Sequence, residues 1–203
     1  MIPARFEIIR LLGKGKSGRS YLAKDKEIEY VLKEMHDEPF AFYHFSKPKI
    51  ELELDTYSIL ADQNIKIPKM IEYDTENAYI VKEYVKGETI TELLCKGALN
   101  DSIILQILKW ERDLKEKNIN IDYFPGNFVF DGKDVFYVDY EFNSYSEEWN
   151  FTNWGIFYWL NPEGFKRFIE TNDSSYINIE GTGIPIKNEM ILKERERILK
   201  LNY

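Results

Sequence analysis

The apolar pattern of this 203-residue chain shifts near Tyr84–Gly87 from strand-rich to helix-rich, and that shift limits the folds open to it. Up to Tyr84 apolar residues come mostly in short runs between turn residues; from Glu88 they recur mostly at three- and four-residue spacing. The first part predicts strands at Phe6–Leu12, near Arg19–Lys24 and at Ile28–Glu34. A helix follows over Ile50–Leu60, with Leu54, Tyr57, Ile59 and Leu60 on its apolar face. Pro68 stops that region, and strands are expected at Met70–Tyr73 and Ala78–Tyr84. Gly87 marks a joint. Beyond it Ile90, Leu93 and Leu94 read as one helix. Ile103, Ile104, Ile107, Leu108, Glu111 and Leu114 make a second, well-formed amphipathic one. Asn161-Pro162 opens another, with Phe165, Phe168 and Ile169 on one face. The charged tail from Asn188 to Leu201 is expected to dock through Met190, Ile191, Ile198 and Leu201. Trp149, Trp154 and Trp159 are read as core. The expectation is an α+β chain: a small antiparallel-sheet part over residues 1–86 and a mainly helical part over 87–203.

Composition removes several classes of function. A formal charge of −8 argues against nucleic acid as partner, because neutralising phosphates needs clustered Lys and Arg. Cys95 is the single cysteine, so neither an internal disulfide nor a cysteine-rich zinc site can form. His36 and His44 lie in a polar, aromatic-rich stretch and are read as structural or surface residues. No apolar run approaches the roughly 20 residues of a membrane span, and the N-terminus lacks a signal-peptide core. No membrane partner is expected, and the compartment read from these features is the cytoplasm.

Chemistry concentrates in Asp122-Tyr123-Phe124-Pro125-Gly126-Asn127 and the segment after it. Phe128-Val129-Phe130 and Val135-Phe136-Tyr137-Val138 flank Asp131-Gly132-Lys133-Asp134, and Asp-Gly between apolar runs signals a hairpin. Antiparallel strands put Asn127, before the first, beside Asp139, after the second. Two oxygen ligands then meet at one sheet end, where a hard cation such as magnesium can sit. With Asp122 as proton acceptor, this is the arrangement phosphoryl transfer needs. An Asp and an Asn around a hairpin also serve as plain turn punctuation.

Gly13-Lys14-Gly15-Lys16-Ser17-Gly18 joins two strands, whereas a dinucleotide-binding loop runs from strand to helix. Glycine lets backbone approach phosphate closely with its N–H groups available to donate. Lys33 follows on the third strand, with Val31 on the same face. That places an ammonium near phosphates and an apolar surface where a base can rest. Glu53 on the following helix is the first candidate to hold Lys33, and Glu51 is the alternative.

These residues resemble the protein kinase-like superfamily. Leu12–Gly18 resembles its glycine-rich loop, with Gly13, Gly15, Ser17 and Gly18 toward the nucleotide. Val31-Leu32-Lys33 resembles its lysine-bearing strand, and Glu53 falls where the helix glutamate is expected. Val81–Val85 resembles the hinge, whose backbone would bind adenine near Glu83 and Val85. Asp122 and Asn127 match the catalytic loop, and Asp139 matches the metal-binding Asp. The resemblance covers about Phe6 to Leu160 and implies a two-lobed fold with ATP and Mg2+ as cofactors. It gives Asp122, Lys33 and Glu53 the catalytic positions and Asn127 and Asp139 the metal. Asn120 replaces the catalytic-loop His, and the metal-binding triplet reads Asp139-Tyr140-Glu141. Lys82 stands at the gatekeeper and Ser20 where a valine underlies the base. The Pro-Gly-Asn loop looks closer to aminoglycoside and choline kinase-type phosphotransferases, whereas the glycine loop and small size look like compact RIO-type kinases. No Ala-Pro-Glu follows Asp139, and the next apolar helix is expected over Trp154–Leu160.

Two functional expectations follow. One is a phosphotransferase moving the γ-phosphate of ATP to a hydroxyl acceptor, either a small molecule or a protein Ser/Thr. The other is a kinase-shaped scaffold that binds nucleotide or a partner without catalysis. Asp122, Glu141, Glu147 and Glu148 would favour a cationic acceptor, though acidic side chains more often simply face water.

Overall fold

In the computed structural model of the chain, residues 2–36 and 47–201 are described. His44 lies outside them. The chain divides into two compact units: Met1–Asp62 with Ile67–Lys86, and Gln63–Lys66 with Gly87–Tyr203.

The first unit is built on a five-stranded antiparallel sheet. Its strands are β1 (Glu7–Lys14), β2 (Gly18–Asp25), β3 (Ile28–Met35), β4 (Met70–Asp74) and β5 (Tyr79–Glu83), in the order β1-β2-β3-β5-β4. Phe6, Ala23, Leu32, Tyr79 and Val81 form the core on one face, with Tyr21 and Tyr30 packed against them. Strand β1 is an edge. Ile8, Ile9, Leu11 and Leu12 on it are all exposed, and Phe6, just before it, is the residue that buries.

The helix of this unit, α1 (Lys49–Ala61), buries Ile50, Glu53 and Leu60, with Tyr57 half-buried on the same stripe. The expected apolar face is thereby corrected: Ile59 is exposed and Leu54 only partly covered. The inner stripe runs 50, 53, 57, 60, and a carboxylate sits in the middle of it. Tyr57 secures the helix by accepting, at its hydroxyl, the N–H of Met70 at 3.1 Å.

The second unit opens with β6 (Glu88–Thr89) and α2 (Ile90–Cys95), whose start carries a capping box. Thr89 Oγ1 accepts from Glu92 N, and Glu92 reaches back to Thr89 N. Next comes α3 (Asp101–Lys115), capped by Asn100 and burying Ile103, Ile104, Ile107, Leu108, Trp110, Glu111 and Leu114. Strands β7 (Ile119–Ile121), β8 (Phe128–Phe130), β9 (Val135–Tyr137) and β10 (Phe142–Ser144) are short. β8 and β9 form the expected hairpin, with β6 outside β8, and β7 pairs with β10.

A π-helical turn, Phe151–Gly155, leads into α4 (Ile156–Trp159). The helix expected over Trp154–Leu160 therefore begins earlier and in a wider form. Helix α5 (Pro162–Thr171) is capped by Asn161, and α6 (Glu189–Leu201) closes the described chain. Three side chains expected inside are exposed: Trp149, Ile169 on α5, and Met190 at the start of α6. Leu201 is exposed too, so α6 docks through Ile191 and Ile198, two turns apart. The mainly helical second part thus also carries five short strands.

Its core is aromatic. Tyr123, Phe128, Tyr137, Phe151, Trp159 and Phe165 are almost wholly buried. Phe151 and Phe128 each stand edge-on to Trp159, with centroids 5.2 and 5.1 Å away. Gly155 admits this packing: a Cβ there would lie 2.5 Å from Tyr123 Cβ. Gly155→Ala is expected to destabilise the second unit by about 2 kcal/mol through overpacking. A urea midpoint unchanged from wild type would contradict it.

Candidate functional site

In the first unit β3 presents Lys33 inward, paired with Ile80 of β5 and Ser20 of β2. Its ammonium lies 2.6 Å from Glu53 Oε2, and both side chains are more than nine-tenths buried. Glu51, the alternative partner, is exposed. An ammonium out of water needs a carboxylate partner, and α1 is oriented so that one is supplied. The second oxygen, Glu53 Oε1, is buried with no hydrogen-bond partner among the described residues. Lys82, at the gatekeeper position, is buried and pairs across the sheet with Val31.

The three loop glycines are not equivalent. A Cβ on Gly18 would meet the Glu34 carbonyl oxygen at 2.5 Å, so the close approach of β3 demands glycine there. A Cβ on Gly13 or Gly15 would meet nothing within 4 Å, and neither has a positive φ. The fold itself thus gives no reason for glycine at 13 and 15. Open space over both is what a loop closing on a ligand requires.

Not every expected donor is available. Gly15 N–H donates to the Gly18 carbonyl at 2.9 Å, so it turns inward rather than outward. Ser17 gives its carbonyl to His36 N–H, and the His36 ring sits 3.1 Å from the Gly15 carbonyl. His36 is therefore a structural support of the loop. At the hinge, Glu83 N–H is taken by the Lys69 carbonyl at 2.8 Å. Of the Glu83 and Val85 pair, Val85 is the one whose N–H no described residue accepts.

In the second unit a tight turn shapes the Asp122 region. Asp122 Oδ1 accepts the N–H of Phe124 at 3.0 Å, which fixes the carboxylate over its own backbone. Asn127 Nδ2 donates to the Asp122 carbonyl at 3.3 Å, directing Oδ1 of the same amide away. The carbonyl of Asn127 accepts Val138 N–H at 2.9 Å, one residue before Asp139. The hairpin therefore brings Asp122, Asn127 and Asp139 to one end of β8 and β9.

Periodicity had no means of finding Tyr137. Fully buried, it donates its hydroxyl to the Glu141 carbonyl at 2.8 Å and accepts Asp122 N–H at 3.4 Å. One phenol thus ties the segment after Asp139 to the backbone of Asp122. Burial pushes its pKa well up, and the negative charges of Asp139, Asp122 and Glu141 push it further. Asn120, in the place of the expected His, pairs with Asn143 in the ladder and donates to the Trp149 carbonyl at 3.0 Å.

No family model matches the chain. Among curated proteins, the serine/threonine-protein kinase PknA of Nostoc sp. is 27% identical over 66% of this chain and 27% of its own length. The serine/threonine-protein kinase D of Synechocystis sp. is 28% identical over 57% of this chain and 27% of its own. The chain is similar in sequence to these kinases. It spans little more than a quarter of the length of those two kinase relatives. A third kinase relative, the CBL-interacting protein kinase 14 of Oryza sativa, is 28% identical over 58% of this chain. The kinase domain of Mycobacterium tuberculosis PknI, solved as a cysteine-to-alanine mutant, aligns over 68% of this chain and 59% of its own at 17% identity, with a TM-score of 0.49.

The donor set suits magnesium better than a transition metal. One carboxylate and one amide oxygen are hard ligands, and Mg2+ keeps water and phosphate oxygens for its remaining positions. Among the described residues no group of three or more His, Cys, Asp or Glu side chains gathers into a dedicated metal cage.

Removing the partner of the buried lysine is expected to be costly. Glu53→Gln should lower the stability of the first unit by about 3 kcal/mol, because the Lys33 ammonium is left in place without a counter-charge. The apolar double variant Lys33→Met, Glu53→Leu should recover most of that loss. Denaturant unfolding of the three proteins checks both statements, and an unaltered midpoint for Glu53→Gln would contradict the first.

Proposed function

We propose that the kinase-like chain is a magnesium- and ATP-dependent phosphotransferase that moves the γ-phosphate to a hydroxyl acceptor. The first unit, residues 1–86, is the nucleotide-binding lobe, and the second, residues 87–203, is the catalytic and acceptor lobe. The observation that carries this reading is the buried Lys33–Glu53 pair in a unit whose Gly13 and Gly15 lack any packing cause. The Asp122, Asn127 and Asp139 group of the other unit completes it.

On this reading Lys33, braced by Glu53, meets the α- and β-phosphates. Gly13, Gly15, Ser17 and Gly18 cover them, with Ser17 rather than Gly15 giving an N–H. Val31 supports the base, and Glu83 and Val85 hold its edge through the Glu83 carbonyl and Val85 N–H. Asn127 Oδ1 and the Asp139 carboxylate hold magnesium, which would neutralise charge on the transferring phosphate. Asp122 orients the acceptor hydroxyl and takes its proton. Little covalent chemistry is asked of the chain, so positioning and charge carry the rate.

Two of the named relatives are serine/threonine-protein kinases, which favours a protein hydroxyl as acceptor. The short segment between Asp139 and the π-helical turn favours a small hydroxyl compound instead, because it leaves little chain for a peptide platform. Among the described residues no helix is long and apolar enough to cross a membrane. With Cys95 as its single cysteine, the chain fits a reducing, cytoplasmic setting. Buried Lys82 and the inward N–H of Gly15 favour a second reading, a scaffold that holds nucleotide without turnover.

Transfer from γ-labelled ATP to the protein itself, to generic protein substrates and to amino-sugar or amino-alcohol pools tests the proposal. Asp122→Asn and Asp139→Asn are each expected to lose about a hundredfold or more in rate. Equal rates for all three proteins would overturn it. Thermal shifts with ATP separate the scaffold: saturation at 100 times the dissociation constant adds about 2.7 kcal/mol. A shift that requires magnesium supports the enzyme, and one that ignores it supports the scaffold.

A further inference from the structure

Glu111 is a buried carboxylate that the proposed mechanism does not use. It sits at the inner stripe of α3, 6% exposed, among Ile107, Leu108 and Leu114. Burial pushes its pKa above the ordinary carboxylate range. Both of its hydrogen bonds go to one residue: Thr152 donates its N–H at 3.2 Å to one oxygen and its hydroxyl to the other. The Thr152 carbonyl is taken as well, by Arg195 Nε of α6 at 2.9 Å. Lys115, one turn along α3, and Glu147 are the other charges that Glu111 feels, with opposite signs. Tyr123 in turn feels the charge of Glu111.

Thr152 is the second residue of the π-helical turn. Such turns are rare and are frequently found at functional sites. The turn and the helix after it grip Tyr123 from three directions. The Phe151 ring lies 5.4 Å from the Tyr123 ring, and Gly155 backbone stands against Tyr123 Cβ. Trp159 Nε1 donates to the Tyr123 carbonyl at 2.8 Å. Tyr123 is bonded to Asp122, whose carboxylate is held by Phe124 N–H on its other side. A continuous series of contacts therefore runs from Glu111 through Thr152 and the turn to the proposed base.

We propose that Glu111 and Thr152 form a clamp that positions Asp122 by holding the π-helical turn in register beneath Tyr123. Glu111 is a positioning residue, not a catalytic one, since it touches neither substrate nor reacting atoms. A buried glutamate with two bonds to one threonine fixes that threonine in direction as well as distance. The inference rests on the phosphotransferase reading for its kinetic consequence, but its structural part stands apart from it.

The test uses the full chain with Thr152→Val, which keeps shape and removes the hydroxyl, and Thr152→Ser, which keeps the hydroxyl. Each is made in the wild-type and the Asp122→Asn backgrounds. Labelling with 5-fluorotryptophan, with Trp159→Phe for assignment, reports the indole that donates to Tyr123. Thr152→Val is expected to move the Trp159 fluorine signal and to lower kcat about tenfold, with KM for ATP unchanged. Thr152→Ser should restore both. In the Asp122→Asn background Thr152→Val should add almost nothing, because the group it positions is already gone. An equal kcat loss in both backgrounds would show a general structural effect and overturn the proposal, as would a stationary Trp159 signal. If the wild-type chain transfers no phosphate, the phosphotransferase reading fails, and the fluorine signal alone decides the clamp. Should Thr152→Val not fold, Glu111→Met, which removes both acceptors at similar volume, takes its place with the same expected signals.

Discussion

The burial of Tyr123 is the constraint on which the second unit depends. A side chain of this size, fully removed from water between Phe128, Phe151 and Trp159, has one conformation open to it. Its backbone is fixed by the Trp159 indole, and its Cβ by the absence of a side chain at Gly155. Asp122 precedes it and Phe124 follows, so the carboxylate takes its position next to a fully buried neighbour. A candidate base held this way needs little further reorganisation to act. The aromatic core is thus a support for the site as much as a source of stability.

The first unit solves a related problem with charge. Its sheet presents an ammonium on the inner face of β3, and α1 answers with a carboxylate in its own inner stripe. Only Ile50 and Leu60 are buried apolar residues of that helix, so its seat depends on the ion pair and on Tyr57 more than on apolar area. Replacement by apolar residues would hold such a helix nearly as firmly. That the pair is kept instead is consistent with an ammonium that has a second task.

Much of this was legible in the amino-acid sequence, and each failure has a physical cause. Strands β2 to β5, the β8–β9 hairpin and helix α3 follow from runs, turn residues and apolar spacing within a residue or two. The α1 face was misread because its central inner residue is Glu53, which a hydrophobic count treats as an outer one. Ile59, Ile169 and Met190 were read inward because they are apolar, although a folded surface always retains some apolar side chains. Tyr137 and Thr152 escaped notice because their importance lies in one hydroxyl each, directed by tertiary packing. The π-helical turn left no trace, since its spacing of five differs from that of either a helix or a strand. Glu111, by contrast, was placed on the inner stripe of α3 by its spacing alone, and it is buried there.

The electrostatics of the second unit bear on which ligand it can accept. Asp122, Asp139 and Glu141 all act on the buried phenol of Tyr137, and each drives its ionisation to higher pH. A group buried among three carboxylates reports a local negative field, one that an anionic phosphate chain alone would meet unfavourably. A divalent cation held by Asn127 and Asp139 would offset much of that field where phosphate approaches. On the proposed reading, metal and nucleotide would therefore enter this unit together, and the neutral phenol of Tyr137 would be little affected by their arrival. It carries no charge of its own to be repelled in either state, and it continues to tie the Asp122 backbone to the segment that follows Asp139.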